Sequence, residues 1–485
     1  MPDNRNRLQR MFEIGGRYAN FGSCLVSMHV RGVRCHTSTL IEVQSPITAF
    51  CGLNGTGKST LLQLAAVAYR GRAGEPSGRY HIASFILAGT LDPEPYAATA
   101  SIEYGYWQED RTPRKLTISR SASRKRWAGY RRQPERPVYF AGMGLYLPRI
   151  ETRDFVVRNA TKLQVLGSNA LAADARQWVE QILTSHYDAM NRNTIKHPKE
   201  NRFVVTASRG GQTYSEANMG CGEGRIQHFV QQIENLPEQS LIILEEPETS
   251  LHQSAQFELG KYLIDACIRR KHQIFLTTHS ESLLAALPST SRVYLDRSSG
   301  SIRLIYGLSS AQAASLMANA GTKALHILVE DEVARAVLRE IIRKVDAQFL
   351  RTVDIAIGGD RDGIQRTMQA LREAQLPLAA VRDGDTGPNP QQSLFSLPGT
   401  RPPEREIFDC PLVVAHLRNH YGVSTDDFMT TVDRDDHHSW FGRLAISVST
   451  DEISIINECA RTYVASLTEN ERDTLVQQLK AAIPR

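Results

Sequence analysis

The stretch Gly52-Leu-Asn54-Gly55-Thr-Gly57-Lys58-Ser59-Thr60 has the composition and spacing of a phosphate-binding loop. Glycines let successive backbone N–H groups converge on phosphate oxygens, where a side chain would block the approach. Asn54, Gly55, Gly57 and Thr60 shape such a cradle, Lys58 reaches the β- and γ-phosphates, and the Ser59 hydroxyl helps to hold Mg²⁺. Farther along, the apolar run 241–244 reads as a buried strand and ends in Glu245-Glu246-Pro247. Side chains alternate along a strand, so the two carboxylates cannot share one job. Glu245 is placed to support Mg²⁺ through its water shell, and Glu246 to orient or deprotonate an attacking water. A further apolar run, 274–278, delivers His279 towards the γ-phosphate. This combination predicts a site that binds ATP with Mg²⁺ and hydrolyses it.

A second set of acids lies downstream. Glu330 follows the apolar run 324–329, and Asp383-Gly-Asp385 follows Leu378-Ala-Ala-Val381. Carboxylates at the C-terminal ends of neighbouring parallel strands converge on one edge of the sheet, an arrangement suited to Mg²⁺ or Mn²⁺. A cation held there stabilises charge on a scissile phosphate.

The elements that must position these groups can be read from apolar periodicity. The run 47–51 is a strand entering the phosphate loop, and 61–66 begins the helix that leaves it. A helix is expected over 170–190 and another over 281–287, stopped by Pro288. Strands around Val293 and Ile302 and a connecting helix over 311–317 close the first region, with a boundary at Gly321. Beyond it the pattern is strand 324–329, helix 332–345, strand 353–357, helix 364–374 and strand 378–381. The remainder reads as mostly helical, most clearly over 452–458 and 469–483.

The order of lysine loop, double Glu and histidine resembles the ABC-type ATPases, specifically the soluble branch that includes RecF- and SMC-type heads and the overcoming-lysogeny (OLD) nucleases. Met219-Gly220-Cys221-Gly222-Glu223 resembles the signature loop of that class, with Gly220 at the usual serine position. The segment 246–252 resembles its Walker B end and D-loop. The resemblance implies that Gly220, Gly222 and Glu223 of one subunit close over nucleotide held by another, giving a homodimer or a higher even-numbered assembly. The unit after residue 320 resembles a TOPRIM domain, as in OLD proteins, with Glu330, Asp383 and Asp385 at the family's acidic positions. It departs from that family at Asp331, where a glycine is usual, and at Ala334, where an acid is usual. No lysine occurs between Lys344 and Lys480 to serve as the family's downstream cation, which leaves Arg401 and Arg405 as substitutes. The implied fold class is α/β. It comprises an ABC-type head over 1–320 with two lobes on a mixed sheet and a helical lobe at about 151–235. A smaller Rossmann-like, TOPRIM-like domain over 321–410 and a helical region over 411–485 follow.

Three functions follow from the resemblance. One is an ATPase that gates a nuclease in cis, in anti-phage defence. Another is a Septu-like regulator of a separate nuclease subunit, with a degenerate TOPRIM-like scaffold. The third is a RecF-like repair ATPase, to which the appended α/β unit is foreign.

Composition narrows the setting. The chain has 485 residues, enough for two or three domains, and a formal net charge of +5. No apolar run is long enough to cross a bilayer, and no apolar signal core follows the first residues, so no membrane role is expected. Seven cysteines without CxxC spacing argue for a reducing cytoplasm. Between Arg111 and Arg136 lie Arg114, Lys115, Arg120, Arg124, Lys125, Arg126, Arg131 and Arg132, with Trp127 and Tyr130 interleaved. Such a stretch suits DNA or RNA, or is a solvated hairpin of the first lobe. Asp433-Arg-Asp435-Asp436-His437-His438 is either a metal cluster or, preferably, a helix cap before Trp440-Phe441.

Overall fold

The computed structural model describes residues 4–71, 80–121, 123, 126–142, 149–198, 201–297, 300–318, 323–373, 376–432 and 436–483. The chain divides into two compact units, Met1–Ala313 and Ala314–Arg485. Gly321, Arg124, Lys125, Asp433 and Asp435 lie outside the described residues.

The first unit is organised around a six-stranded sheet in the order Arg303–Tyr306, Arg292–Asp296, Ile47–Gly52, Gln273–Thr277, Leu241–Glu245, Val138–Ala141. All neighbours are parallel except the pair formed by Arg303–Tyr306. The central strands are buried on both faces, and this is why they read as continuous apolar runs rather than alternating ones. Parallel pairing sends the C-terminal ends of Ile47–Gly52, Leu241–Glu245 and Gln273–Thr277 to one edge. The phosphate loop, the paired glutamates and His279 therefore share that edge. The helix Lys58–Ala66 leaves the loop and buries Leu61, Leu62 and Leu64.

An antiparallel five-stranded sheet runs His36–Glu42, Leu25–Val33, Tyr96–Trp107, Pro113–Ser121, Arg126–Ala128. The basic stretch is thus partly a hairpin, as one of its two readings requires. Arg111, Arg114, Arg131 and Arg132 are exposed, but Arg136 is buried and donates to the Phe21 carbonyl at 3.0 Å. Trp127 packs edge-on against Tyr96, and the Tyr130 ring packs against His81, so both aromatics are engaged within the protein.

The segment expected as a helical lobe at about 151–235 is more than helices. It holds a four-stranded antiparallel sheet, ordered Gln212–Ser215, Arg202–Arg209, Ala189–Ile195, Val165–Ala170. The helix predicted over 170–190 is only Ala173–Leu183, flanked by two of these strands. Its boundary is sharp because Thr184 adopts a left-handed conformation, φ +50°. The strands escaped the periodicity reading because pairing with neighbouring strands, rather than local propensity, stabilises them.

The second unit contains a four-stranded parallel sheet in the order Val353–Ile357, Leu325–Val329, Leu378–Arg382, Leu394–Ser396. The helix Glu332–Val345 begins at Asp331, whose side chain accepts from the Ala334 N–H at 2.8 Å. Helices Pro403–Phe408, Pro411–Tyr421, Thr425–Val432, Trp440–Ser447, Glu452–Ser466 and Glu469–Ala481 follow the sheet. No helix among the described residues is long and apolar enough to cross a membrane.

Candidate functional site

The phosphate loop takes its shape from three glycines with positive φ: Gly52 at +142°, Gly55 at +77° and Gly57 at +89°. A Cβ on Gly52 would lie 2.6 Å from the Leu295 carbonyl oxygen, and one on Gly57 would lie 2.6 Å from Cys35 Sγ and closer still to His36. The loop is therefore a cradle that only glycine permits at these positions. Gly57 caps the helix Lys58–Ala66, whose free N–H groups face the loop. Lys58 is largely buried, and its Nζ donates to the Gly52 and Leu53 carbonyls at 2.9 Å each. Burial lowers the Lys58 pKa, and Glu246 partly opposes that shift. Asn54 and Gly55 are exposed, Ser59 is half-buried, and buried Thr60 accepts from Arg34 through its hydroxyl at 3.2 Å. The cradle and its cationic and hydroxyl side chains fit ATP with Mg²⁺, for which Ser59 offers a hydroxyl, whereas Glu245 lies with Ala141, Gly142, Arg225 and Pro247 around a small cavity.

His36 supports this loop and was not found from the sequence. Its Nε2 lies 3.1 Å from the Gly57 carbonyl and its Nδ1 3.1 Å from Thr39 Oγ1. Burial lowers its pKa, which keeps the ring neutral. The Nε2–H then donates to Gly57 and Nδ1 accepts from Thr39, so both nitrogens are satisfied.

Glu245 ends the strand Leu241–Glu245, and Glu246 begins the turn that follows it. Glu246 adopts φ +45°, and its N–H donates to Thr277 at 3.2 Å. His279 Nε2 lies 3.5 Å from Glu246 Oε1, and burial followed by the Lys58 charge lowers the histidine's pKa. Lys58, Glu246 and His279 thus form one electrostatic group. Arg225 donates to the Glu246 carbonyl at 2.9 Å and pins the turn.

Beneath this group lies Glu248, to which the sequence reading assigned no role. It is buried, and its Oε1 accepts from the Thr278 hydroxyl at 2.5 Å and from the His279 N–H at 3.0 Å. Desolvation raises its pKa despite these bonds. The only available signal was its position two residues beyond Glu246.

The segment resembling a signature loop begins the helix Cys221–Glu234, with Gly220 as its N-cap residue. A Cβ on Gly222 would meet the Ser250 carbonyl oxygen at 2.6 Å, so this glycine is needed for close approach to the segment 246–252. Glu223 Oε1 accepts from the hydroxyls of Tyr187 at 2.8 Å and Tyr214 at 2.7 Å. Its carboxylate is therefore engaged within its own chain.

In the second unit the parallel sheet brings Glu330 and Asp383 together, with the Asp383 N–H donating to Glu330 Oε1 at 3.3 Å. Asp383 is buried and its Oδ1 has no hydrogen-bond partner. Desolvation, then Glu330, Asp331, Glu404 and Asp385, push its carboxyl up to about 8. Desolvation first, and then Asp385 and Asp331 against the Asp383 N–H, also raise Glu330. An orphaned buried oxygen amid carboxylates fits a divalent cation held by Glu330, Asp383 and Asp385. Glu404 was missed because it lies outside any strand-end pattern. Arg401 is paired with Asp409 at 2.6 Å and Glu406 at 3.4 Å, and the Arg405 guanidinium sits 5.3 Å from the Trp440 ring centre. Asp436 does act as a cap, accepting from the His438 N–H at 3.3 Å. His437 and His438 nevertheless approach Glu404, so the cap and cluster readings of this segment both hold in part.

Residues 47–285 match the family described as "AAA domain, putative AbiEii toxin, Type IV TA system". No curated protein matches the chain. Among solved structures, the chain is similar to an SMC head bound to the C-winged helix domain of ScpA, with 13% identity, 59% of this chain and 97% of that one covered, and a TM-score of 0.39. It is also similar to the SMC head domain from Thermotoga maritima, at 13% identity, 58% and 98% coverage and a TM-score of 0.33. A third is the Smc head domain with a coiled coil and joint derived from Pyrococcus yayanosii, at 11% identity, 60% and 98% coverage and a TM-score of 0.37. The glycine-formed phosphate cradle, the carboxylates at the same sheet edge one strand removed and the match over residues 47–285 support a P-loop ATPase.

Proposed function

We propose that this ATPase controls nuclease action on DNA or RNA in anti-phage defence, with the second unit as a TOPRIM-like, metal-dependent nuclease in cis. The observation that carries the ATPase half is the approach of His279 to Glu246 at 3.5 Å, with the Lys58 charge acting on both. In this reading Lys58 neutralises phosphate charge, Ser59 and Glu245 hold Mg²⁺, Glu246 orients and deprotonates water, and His279 contacts the γ-phosphate. Bound Mg²⁺ supplies charge stabilisation on the transferring phosphoryl group. The signature-like loop at Gly220, Gly222 and Glu223 completes the site of a second copy, so the active form is a homodimer or a higher even-numbered oligomer.

The nuclease half is supported by buried Asp383, whose Oδ1 is unpaired, with half-buried Glu330 and exposed Asp385 beside it. A second reading has its own support. Ala334 is fully buried where the family has an acid, and Arg401 and Arg405 are both engaged elsewhere. A chain of that kind is a scaffold whose ATPase senses the trigger and regulates a separate nuclease subunit.

The purified chain incubated with plasmid, single-stranded DNA and RNA, with Mg²⁺ or Mn²⁺ and with or without ATP, separates the two. Cutting that disappears in Asp383→Ala/Asp385→Ala supports the nuclease in cis. No cutting, with ATPase activity intact, rejects it in favour of the regulator. Glu246→Gln should bind ATP, lose turnover and accumulate the closed dimer; unchanged turnover would remove Glu246 from its assigned role.

A further inference from the structure

The second unit contains a donor set that the acids Glu330, Asp383 and Asp385 do not use. Glu404 stands in the first turn of the helix Pro403–Phe408 and is 0% exposed. Neither of its carboxylate oxygens has a donor at hydrogen-bond distance, although the Asp331 carboxyl stands close enough to share a proton with it. A buried carboxylate left in that state is costly unless a cation faces it. Facing it are His437 and His438, on the short turn His437–Ser439 that Asp436 caps. One donor atom from each of Glu404, His437 and His438 lies within 4.8 Å of the others. His438 Nδ1 is 3.5 Å from Glu404 Oε1 and 3.2 Å from Asp331 Oδ2.

We infer that Glu404, His437 and His438 form a site for a divalent transition-metal ion of the Zn²⁺ class, with Asp331 beside it as a further oxygen. Two imidazoles and one carboxylate are a mixed nitrogen–oxygen set, which favours Zn²⁺ over Mg²⁺ or Ca²⁺. Ligand bonds of about 2.0–2.2 Å allow donor atoms to stand at most about 4.4 Å apart across an ion, so a small rotation of the histidine rings closes the site. Asp331 is anchored as the cap of the helix Glu332–Val345, which holds its second oxygen towards His438. The half-exposed His438 leaves one side open to solvent, as a site that exchanges its metal or admits a further ligand requires. The proposal does not rest on the nuclease reading, because its readout is bound metal and not cleaved nucleic acid.

The full chain, stripped with chelator and free of nucleotide, is titrated calorimetrically with Zn²⁺ and separately with Mg²⁺. His438→Ala and Glu404→Gln are compared with Asp383→Asn, and Co²⁺ absorption serves as a second readout of the ligand set. The expected result is a Zn²⁺ site weakened by about a hundredfold or more in His438→Ala and Glu404→Gln and kept in Asp383→Asn. The half-exposed His438 makes its alanine variant safe for folding, so it decides the matter if Glu404→Gln fails to fold. Absence of Zn²⁺ binding to the parent chain, or wild-type affinity in His438→Ala, overturns the proposal. Loss confined to Asp383→Asn also overturns it and assigns the ion to the neighbouring acids.

Discussion

Glu248 offers the sharpest test of how the catalytic edge is held. Its single oxygen Oε1 accepts from both the Thr278 hydroxyl and the His279 N–H, and so fixes the backbone that carries His279. Glu248→Ala leaves the buried Thr278 hydroxyl and the part-buried His279 N–H without this acceptor. At about 1–3 kcal/mol for each buried unsatisfied group, the cost is at most roughly 2–6 kcal/mol. A displaced His279 should lower ATPase kcat about tenfold to a hundredfold, the range expected for a misplacement approaching 1 Å. Glu248→Gln separates geometry from charge, because its amide oxygen accepts both bonds. Burial raises the Glu248 pKa, so the ionised form is disfavoured in the folded chain. That contribution to stability is present at low pH and lost as pH rises from the unfolded pKa through the folded one. Glutamine never ionises, so at neutral pH it removes this cost and should retain near-parental stability and turnover. The assay is steady-state ATP hydrolysis beside urea unfolding of each full-length variant. Parental kcat in Glu248→Ala, or equal damage in Glu248→Gln, would refute the argument that an accepting oxygen positions His279.

Other outcomes follow from single contacts. Gly222→Ala drives a methyl group against the Ser250 carbonyl oxygen, a contact of 2.6 Å with backbone, and should destabilise the head by about 1–3 kcal/mol, read as a lower urea midpoint; an unchanged midpoint would mean the helix shifts freely. His272 is buried, accepts from the Ser240 N–H at 3.2 Å, and has a pKa lowered to about 3, chiefly by burial. Below the unfolded pKa the unfolded chain takes up a proton that the folded chain refuses, so stability falls as pH drops from about 6.5 towards 3. Between pH 7 and 5 the parent should lose roughly 2 kcal/mol more than His272→Asn, which keeps an acceptor but does not titrate; parallel losses in urea unfolding would contradict this. If the exposed arginines contact a phosphate backbone, Arg131→Ala/Arg132→Ala should weaken DNA binding uniformly across sequences. The slope of affinity against salt should fall by about 2, and an unchanged slope would exclude those two residues.

Chemistry confined to one continuous segment was legible in the sequence. The phosphate loop is such a segment: its glycines, lysine and hydroxyls act on one another through the backbone between them, and the positive φ values at Gly52, Gly55 and Gly57 meet a requirement already visible in their spacing. The strand Leu241–Glu245 was legible for the same reason, since a continuous apolar run is a local property. Tertiary structure alone decided which distant residues support that chemistry. His36 reaches the Gly57 carbonyl across 21 positions, and Glu248 reaches Thr278 across 30. Nothing near His36 or Glu248 in sequence specifies those partners. The sheet formed by Val165–Ala170, Ala189–Ile195, Arg202–Arg209 and Gln212–Ser215 replaced part of an expected helical lobe because strand pairing draws its stability from neighbours brought in by folding. Glu404 and His438 meet on the same terms: the two segments are separate in the chain, and only packing turns a capped turn and a buried carboxylate into a shared donor set.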